Sequence, residues 1–116
     1  MSDPFLDHET VLLDIARERD RQIHAEGWTA DHDDSHEGGQ IARAAACYAI
    51  GDTHVQRGWG DEWHSGGSSS ARIKLWPWDP EWWKPKKRRH DLVRAAALLV
   101  AEIERLDRIA ASKAER

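Results

Sequence analysis

The chain has 116 residues with a net charge of −4; 40% are hydrophobic and 33% charged, which fits one small globular unit on the polar side and excludes two separate cores. No apolar run approaches the roughly 18 residues a membrane helix needs. The acidic start Met1-Ser2-Asp3-Pro4 lacks a hydrophobic signal segment, and the lone Cys47 excludes a disulfide framework or a cysteine-rich zinc site, so a cytoplasmic location is expected.

Two further imbalances bear on function. Seven of the nine aromatics are Trp, against one Phe and one Tyr. Residues 1–40 hold eleven acidic side chains against Arg17, Arg19 and Arg21, whereas 84–94 hold Lys84, Lys86, Lys87, Arg88, Arg89 and Arg94 against Asp91. A short basic stretch on an acidic chain is a local anion site, not the extended basic face that coats nucleic acid.

Three helices are predicted. The first spans about His8 to Glu26: Val11, Leu12, Ile15 and Ile23 fall on one face, and Asp7 stands where an N-cap belongs. Arg19 and Gln22 interrupt that face, so its second half is expected to look into a pocket, and Gly27 offers a left-handed stop. The second spans about Glu37 to Ile50, capped by Asp34 or Ser35, with a small-residue face of Ile41, Ala44, Ala45, Tyr48 and Ala49. That face serves either as core or as a contact between copies in a homo-oligomer. The stretch 51–75 reads as a flexible or variable loop, with five Gly and Ser68-Ser69-Ser70. From Trp76 to Pro85 the chain runs Trp-Pro-Trp-Asp-Pro-Glu-Trp-Trp-Lys-Pro, where Pro77, Pro80 and Pro85 exclude an ordinary helix or central strand and leave a rigid connector. The third helix spans about Arg88 to Ala111 and is strongly amphipathic, with Leu92, Ala96, Leu99, Ile103 and Leu106 at spacings of four and three. The expected fold is therefore a mostly α, single-domain helical protein over 1–116, with three main helices and an ordered Trp/Pro-rich connecting segment.

Three groups of residues carry candidate chemistry. Between the first two helices lie Trp28, His32, Asp33, Asp34 and His36, which serve as caps and local packing, as ligand contacts, or, through imidazole and carboxylate, as metal ligands; their spacing does not define a metal site. Trp76, Trp78, Trp82 and Trp83 either supply the bulk that Ala-rich helices lack or form a stacking wall for a nucleobase. Lys84, Arg88 and Arg89 stand at the start of the third helix, where basic side chains oppose the helix dipole; a bound anion would resolve that conflict, and so would pairing with the acidic first forty residues. Glu104 and Asp107 share a helix face at i, i+3 but stand among arginines, and Cys47 in an Ala-rich helix reads as a small buried side chain.

The combination Arg21-Gln22 … Glu26-Gly27-Trp28-Thr29 … His32-Asp33-Asp34 … His36, Ala44 to Ala49, Trp76-Pro77-Trp78 … Trp82-Trp83-Lys84-Pro85 and Ala101 to Asp107 resembles a family of small uncharacterised phage and prophage proteins. The resemblance covers most of the chain outside 51–75 and implies a bacterial host cytoplasm. Arg21, Glu26, Gly27, Trp28, Asp33 and Asp34 also resemble, in order, the ryanodine-receptor repeat domain, a helical module whose prokaryotic versions imply nucleotide-ligand sensing. A third resemblance, to the all-α MazG-like magnesium-dependent pyrophosphohydrolases, rests on Glu104 and Asp107 alone, because the family's Glu-x-x-Glu pair is missing.

The expected function is capture of an anionic nucleotide-type small molecule, as a phage anti-defence sponge for an immune signal such as an ADP-ribose derivative or cyclic oligonucleotide, without catalysis, cofactor or metal. Trp28, Trp78 and Trp83 are expected to stack on a base and Arg21, Lys84, Arg88 and Arg89 to hold phosphates. His32, Asp33 or His36 would bond a ribose or base edge, with Tyr48 completing the site. The alternatives are a MazG-like hydrolase and a module that docks the Trp/Pro segment on a host protein.

Overall fold

The computed structural model describes residues 4–51, 55–57, 63–65, 72–73 and 76–115. The fold is mostly helical: α1 (Pro4–His24), α2 (Ala30–Asp34), α3 (Gln40–Ile50), three short strands, a 3-10 turn (Pro80–Trp82) and α4 (Arg88–Ala114). Among the described residues no helix is long and apolar enough to cross a membrane. Within 51–75, read from sequence as a loop, lie β1 (Val55–Arg57), β2 (Trp63–Ser65) and β3 (Arg72–Ile73). They form an antiparallel meander, with Gln56 opposite His64 and Trp63 opposite Ile73.

The core is the α3–α4 contact. Ala44 and Ala45 of α3 and Ala95, Leu98 and Ala101 of α4 are buried together, and their small side chains let the two helices approach closely. The small-residue face of α3 is therefore core, not an exposed contact surface. Trp76 is buried on this pair and fills the space the alanines leave, while its indole N–H donates to the Asp79 carbonyl at 3.0 Å.

Three boundaries differ from the sequence expectation: α1 starts at Pro4, with Asp7 inside its first turn and not capping it, a separate helix α2 follows, and α3 starts late. Gly27 does adopt the left-handed conformation expected of it (φ 76°), and the Trp28 backbone N–H donates to the Gln22 carbonyl at 2.9 Å, folding the chain back at the end of α1. The next residues then form a helix of their own, α2, where Thr29 Oγ1 accepts from the His32 backbone N–H. Neither Asp34 nor Ser35 caps α3: Ser35 closes α2 by donating to the His32 carbonyl at 2.6 Å, and Asp34 pairs with Arg108 at 2.8 Å. α3 starts three residues later than expected because Gly39 sits at φ 79°, outside helical space.

The apolar faces are the larger correction. On α1, Val11 and Leu12 are exposed, Ile15 and Ile23 are half-buried, and the residues turned inward are Glu18, Arg19 and Gln22. On α4 the inward row is Asp91, Arg94, Ala95, Leu98, Ala101 and Arg105, while Leu92, Leu99, Ile103 and Leu106 face out. Alanines and Leu98 fill the row of α4 that meets α3, and hydrogen-bonded polar side chains fill the inward row of α1.

Candidate functional site

A half-enclosed cavity of about 920 Å³ opens between the end of α1, the α1–α2 turn and the Trp/Pro segment. It gathers seven of the residues singled out above: Arg21, Trp28, His32, His36, Tyr48, Trp78 and Lys84.

One wall is aromatic. The Trp28 and His32 rings stack with an interplanar angle of 1° and centroids 5.9 Å apart. His36 meets His32 edge-on at 4.8 Å and Trp78 at 5.4 Å, and Trp78 lies 6.0 Å from Trp28. Behind this group Trp76 joins Trp78 to Tyr48 through edge-to-face contacts at 5.5 and 5.7 Å. Thr29, by starting α2, puts His32 one turn above Trp28, and the 76–79 segment places Trp78 opposite. Burial, helped by the neighbouring His32 charge and opposed by Asp33, holds the His36 imidazole below its ordinary value of 6.5, so the ring is neutral at pH 7.

The opposite side is cationic. Arg94, absent from the sequence-derived set, is buried and spans the floor: its Nη1 donates to Tyr48 Oη at 3.2 Å and to the Lys84 carbonyl at 2.9 Å, and its guanidinium lies 4.9 Å over the Tyr48 ring. Its Nε has no hydrogen-bond partner, the nearest carboxylate being Glu18 at 3.9 Å. Arg21 reaches the cavity edge, held bidentate by Glu18 at 2.7 and 2.8 Å and by Glu26 at 3.0 Å. Lys84 lies over the exposed Trp82 ring at 5.5 Å, and Lys86 lines the rim. Among the described residues neither lysine has a carboxylate partner, so four cations face Glu26 and Asp79 across the opening.

The remaining four candidates lie outside the cavity. Asp33 is 2% exposed and bonds Arg19 Nη2 at 2.9 Å and His32 Nδ1 at 3.2 Å, which makes it a positioning residue behind the wall. Trp83 packs on the core, 4.7 Å from Tyr48 and 5.0 Å from Trp76. Arg88 donates to the Tyr48 and Ala49 carbonyls at the end of α3, where a cation is favoured, and Arg89 bonds Asp14 at 2.7 Å. These contacts engage Arg88 and Arg89 within the chain, and Asp91 accepts from the Lys86 backbone N–H at 2.7 Å, which leaves the lysine charges themselves unpaired with carboxylates among the described residues.

The ligand-contact set expected from sequence left out Arg94, Lys86, Glu26 and Asp79, although Lys86 and Arg94 stood in the basic stretch and Glu26 in the motif before Trp28. The available signal for Arg94 was the row Asp91, Arg94, Leu98, Ala101, Arg105, a second helical face hidden behind the more apolar one. Glu104 accepts from Arg19 Nε at 2.9 Å, and among the described residues no three His, Cys, Asp or Glu side chains converge as a metal site. Burial pushes the Cys47 thiol up to about 12 against the opposing charge of Arg43, which leaves it inert.

Compared with known proteins, the chain matches no protein-family model, no curated protein and no solved structure.

Proposed function

We propose that the protein binds and sequesters an anionic, nucleotide-type small molecule and does no chemistry on it. One observation carries this reading: a 920 Å³ cavity lined both by aromatic rings and by four cations, of which Lys84 and Lys86 have no carboxylate partner among the described residues. Its volume falls within the ~300–1,000 Å³ typical of small-molecule sites. A planar base suits stacking on the Trp28 or Trp78 ring where it lines the cavity, a contact worth ~1–3 kcal/mol. Phosphate suits Arg21, Lys84 and Arg94, and the His32 and His36 ring nitrogens offer hydrogen bonds to a base edge or ribose. The resemblance to phage proteins supports placing this in a bacterial host cytoplasm, as a sponge for a nucleotide immune signal such as an ADP-ribose derivative or cyclic oligonucleotide.

The test is sequestration. Protein in excess is mixed with a nucleotide panel with and without magnesium and filtered, and both the filtrate and the heat-released fraction are chromatographed. The expected result is one nucleotide class lost from the filtrate, recovered intact on heating, and retained ~5–150-fold less well by Trp28→Ala or Trp78→Ala. A new product that forms only with magnesium, and vanishes in Glu104→Ala or Asp107→Ala, overturns sequestration in favour of hydrolysis. An unchanged panel overturns nucleotide binding and leaves the exposed Trp82 as an anchor for a host protein.

A further inference from the structure

The apolar face of α4 is a surface of a different kind from the cavity. Leu92, Leu99, Ile103 and Leu106 are 43, 47, 56 and 51% exposed. With Val100 beside them they present on the order of 400 Å² of contiguous apolar surface, the size at which a patch marks an interaction site. α3 and α1 pack on other sides of the helix, so nothing among the described residues covers this one.

Spacing identifies the occupant. Leu92, Ala96, Leu99, Ile103, Leu106 and Ala110 follow one another at four, three, four, three and four residues, a heptad seam with leucine at every d position. A period of 3.5 departs from the 3.6 of a straight helix and stays in line only against another helix that follows the same period. The chain supplies one such partner, its own α4 in a second copy.

Orientation follows from charge and shape. Five cations, Lys84, Lys86, Lys87, Arg88 and Arg89, crowd the N-terminal end of the seam. Parallel pairing would bring both sets together, whereas antiparallel pairing puts them at opposite ends and also opposes the two helix dipoles. Antiparallel alignment further sets Leu92 against Ala110, Ala96 against Leu106 and Leu99 against Ile103 of the other copy, large against small at each end. Covering both seams removes roughly 800 Å² of apolar surface. At the ~60% apolar share usual for such contacts this implies ~1,300 Å² in all, within the ~1,200–2,000 Å² of a stable pair.

We propose that the protein is a two-fold homodimer paired antiparallel along the Leu92–Ala110 face of α4. The pairing is independent of the cavity reading. Light scattering on the purified chain at about 100 µM is expected to give twice the 13.3 kDa chain mass. The Leu99→Glu, Ile103→Glu variant, changed only at exposed positions, is expected to give the chain mass with unaltered helical circular dichroism and at least ~30-fold weaker association. Leu92→Cys mixed with Ala110→Cys is expected to form a disulfide-linked dimer on oxidation, and Leu92→Cys alone to form none. A wild-type monomer overturns the proposal and leaves the face to a helix of another protein. A dimer that survives the double glutamate, or a Leu92→Cys homodimer, overturns it as well.

Discussion

Asp33 was expected from the sequence to touch a ligand, and its place in the structure makes a different and measurable claim. The carboxylate is 2% exposed and accepts from Arg19, whose side chain is 8% exposed. Asp33→Ala therefore leaves a buried guanidinium short of one partner. Removing one member of a buried pair costs ~3–5 kcal/mol, because the remaining charge has lost its compensation without regaining water. Arg19 keeps Glu104 at 2.9 Å, but that carboxylate is 46% exposed and partly screened, so the lower end, ~3 kcal/mol, is expected. At ~4 °C per kcal/mol for a domain of this size the midpoint falls by ~12 °C. Urea unfolding followed by Trp fluorescence measures the loss, with an unchanged m-value as the sign that the native state is otherwise intact. The Arg19→Met, Asp33→Leu double variant removes both charges and should recover most of the stability. A single-variant loss under ~1 kcal/mol, or a double variant no better than the single, would refute the buried pair. A tenfold loss of ligand affinity in a folded Asp33→Ala protein would return the residue to direct contact.

Trp76→Ala should cost ~3–5 kcal/mol by urea unfolding, since it empties the space between Tyr48, Trp78 and Trp83, and Trp76→Phe should cost less. Burial raises the Glu18 carboxyl, but the Arg21 hydrogen bonds and the charges of Arg21 and Arg94 more than reverse this, leaving it below its ordinary 4.5. A group depressed on folding stabilises fully above its unfolded value and loses that contribution as pH falls through the folded one, so stability measured from about pH 6 to pH 3 should drop more steeply in wild type than in Glu18→Gln. Cys47, buried with its thiol pushed up to about 12, should resist maleimide in the native protein and react on unfolding.

The helical class and the left-handed Gly27 were legible because each depends on local chemistry, a period or a φ angle, and seven cavity residues because ring and charge types stand out by themselves, although Trp78 meets Trp28 and His36 only through the fold. The apolar faces were misread for one physical reason. Hydrophobic periodicity reports which side of a helix avoids water, and on α4 no element among the described residues covers that side, while the side against α3 carries Ala95, Ala97 and Ala101. Arg94 was hidden in the same way, because a buried arginine reads as a surface one until Tyr48 Oη and the Lys84 carbonyl arrive from 46 and 10 residues away. Of the two alternatives read for the basic run, internal pairing accounts for its arginines: Arg89 meets Asp14 and Arg88 the α3 carbonyls.

The seam between α1 and α4 differs in kind from the seam between α3 and α4. α3 is attached by apolar contact, which salt does not screen, whereas α1 is attached through Arg19–Glu104, Arg89–Asp14 and the Glu18–Arg94 approach. Ionic strength therefore screens the Arg89–Asp14 pair most and the buried Glu18, Arg19 and Arg94 contacts far less. The electrolyte reaches the start of the α1–α4 seam, while the end of α1 that carries Arg21 and the floor made by Arg94, Tyr48 and Trp76 lie out of its reach.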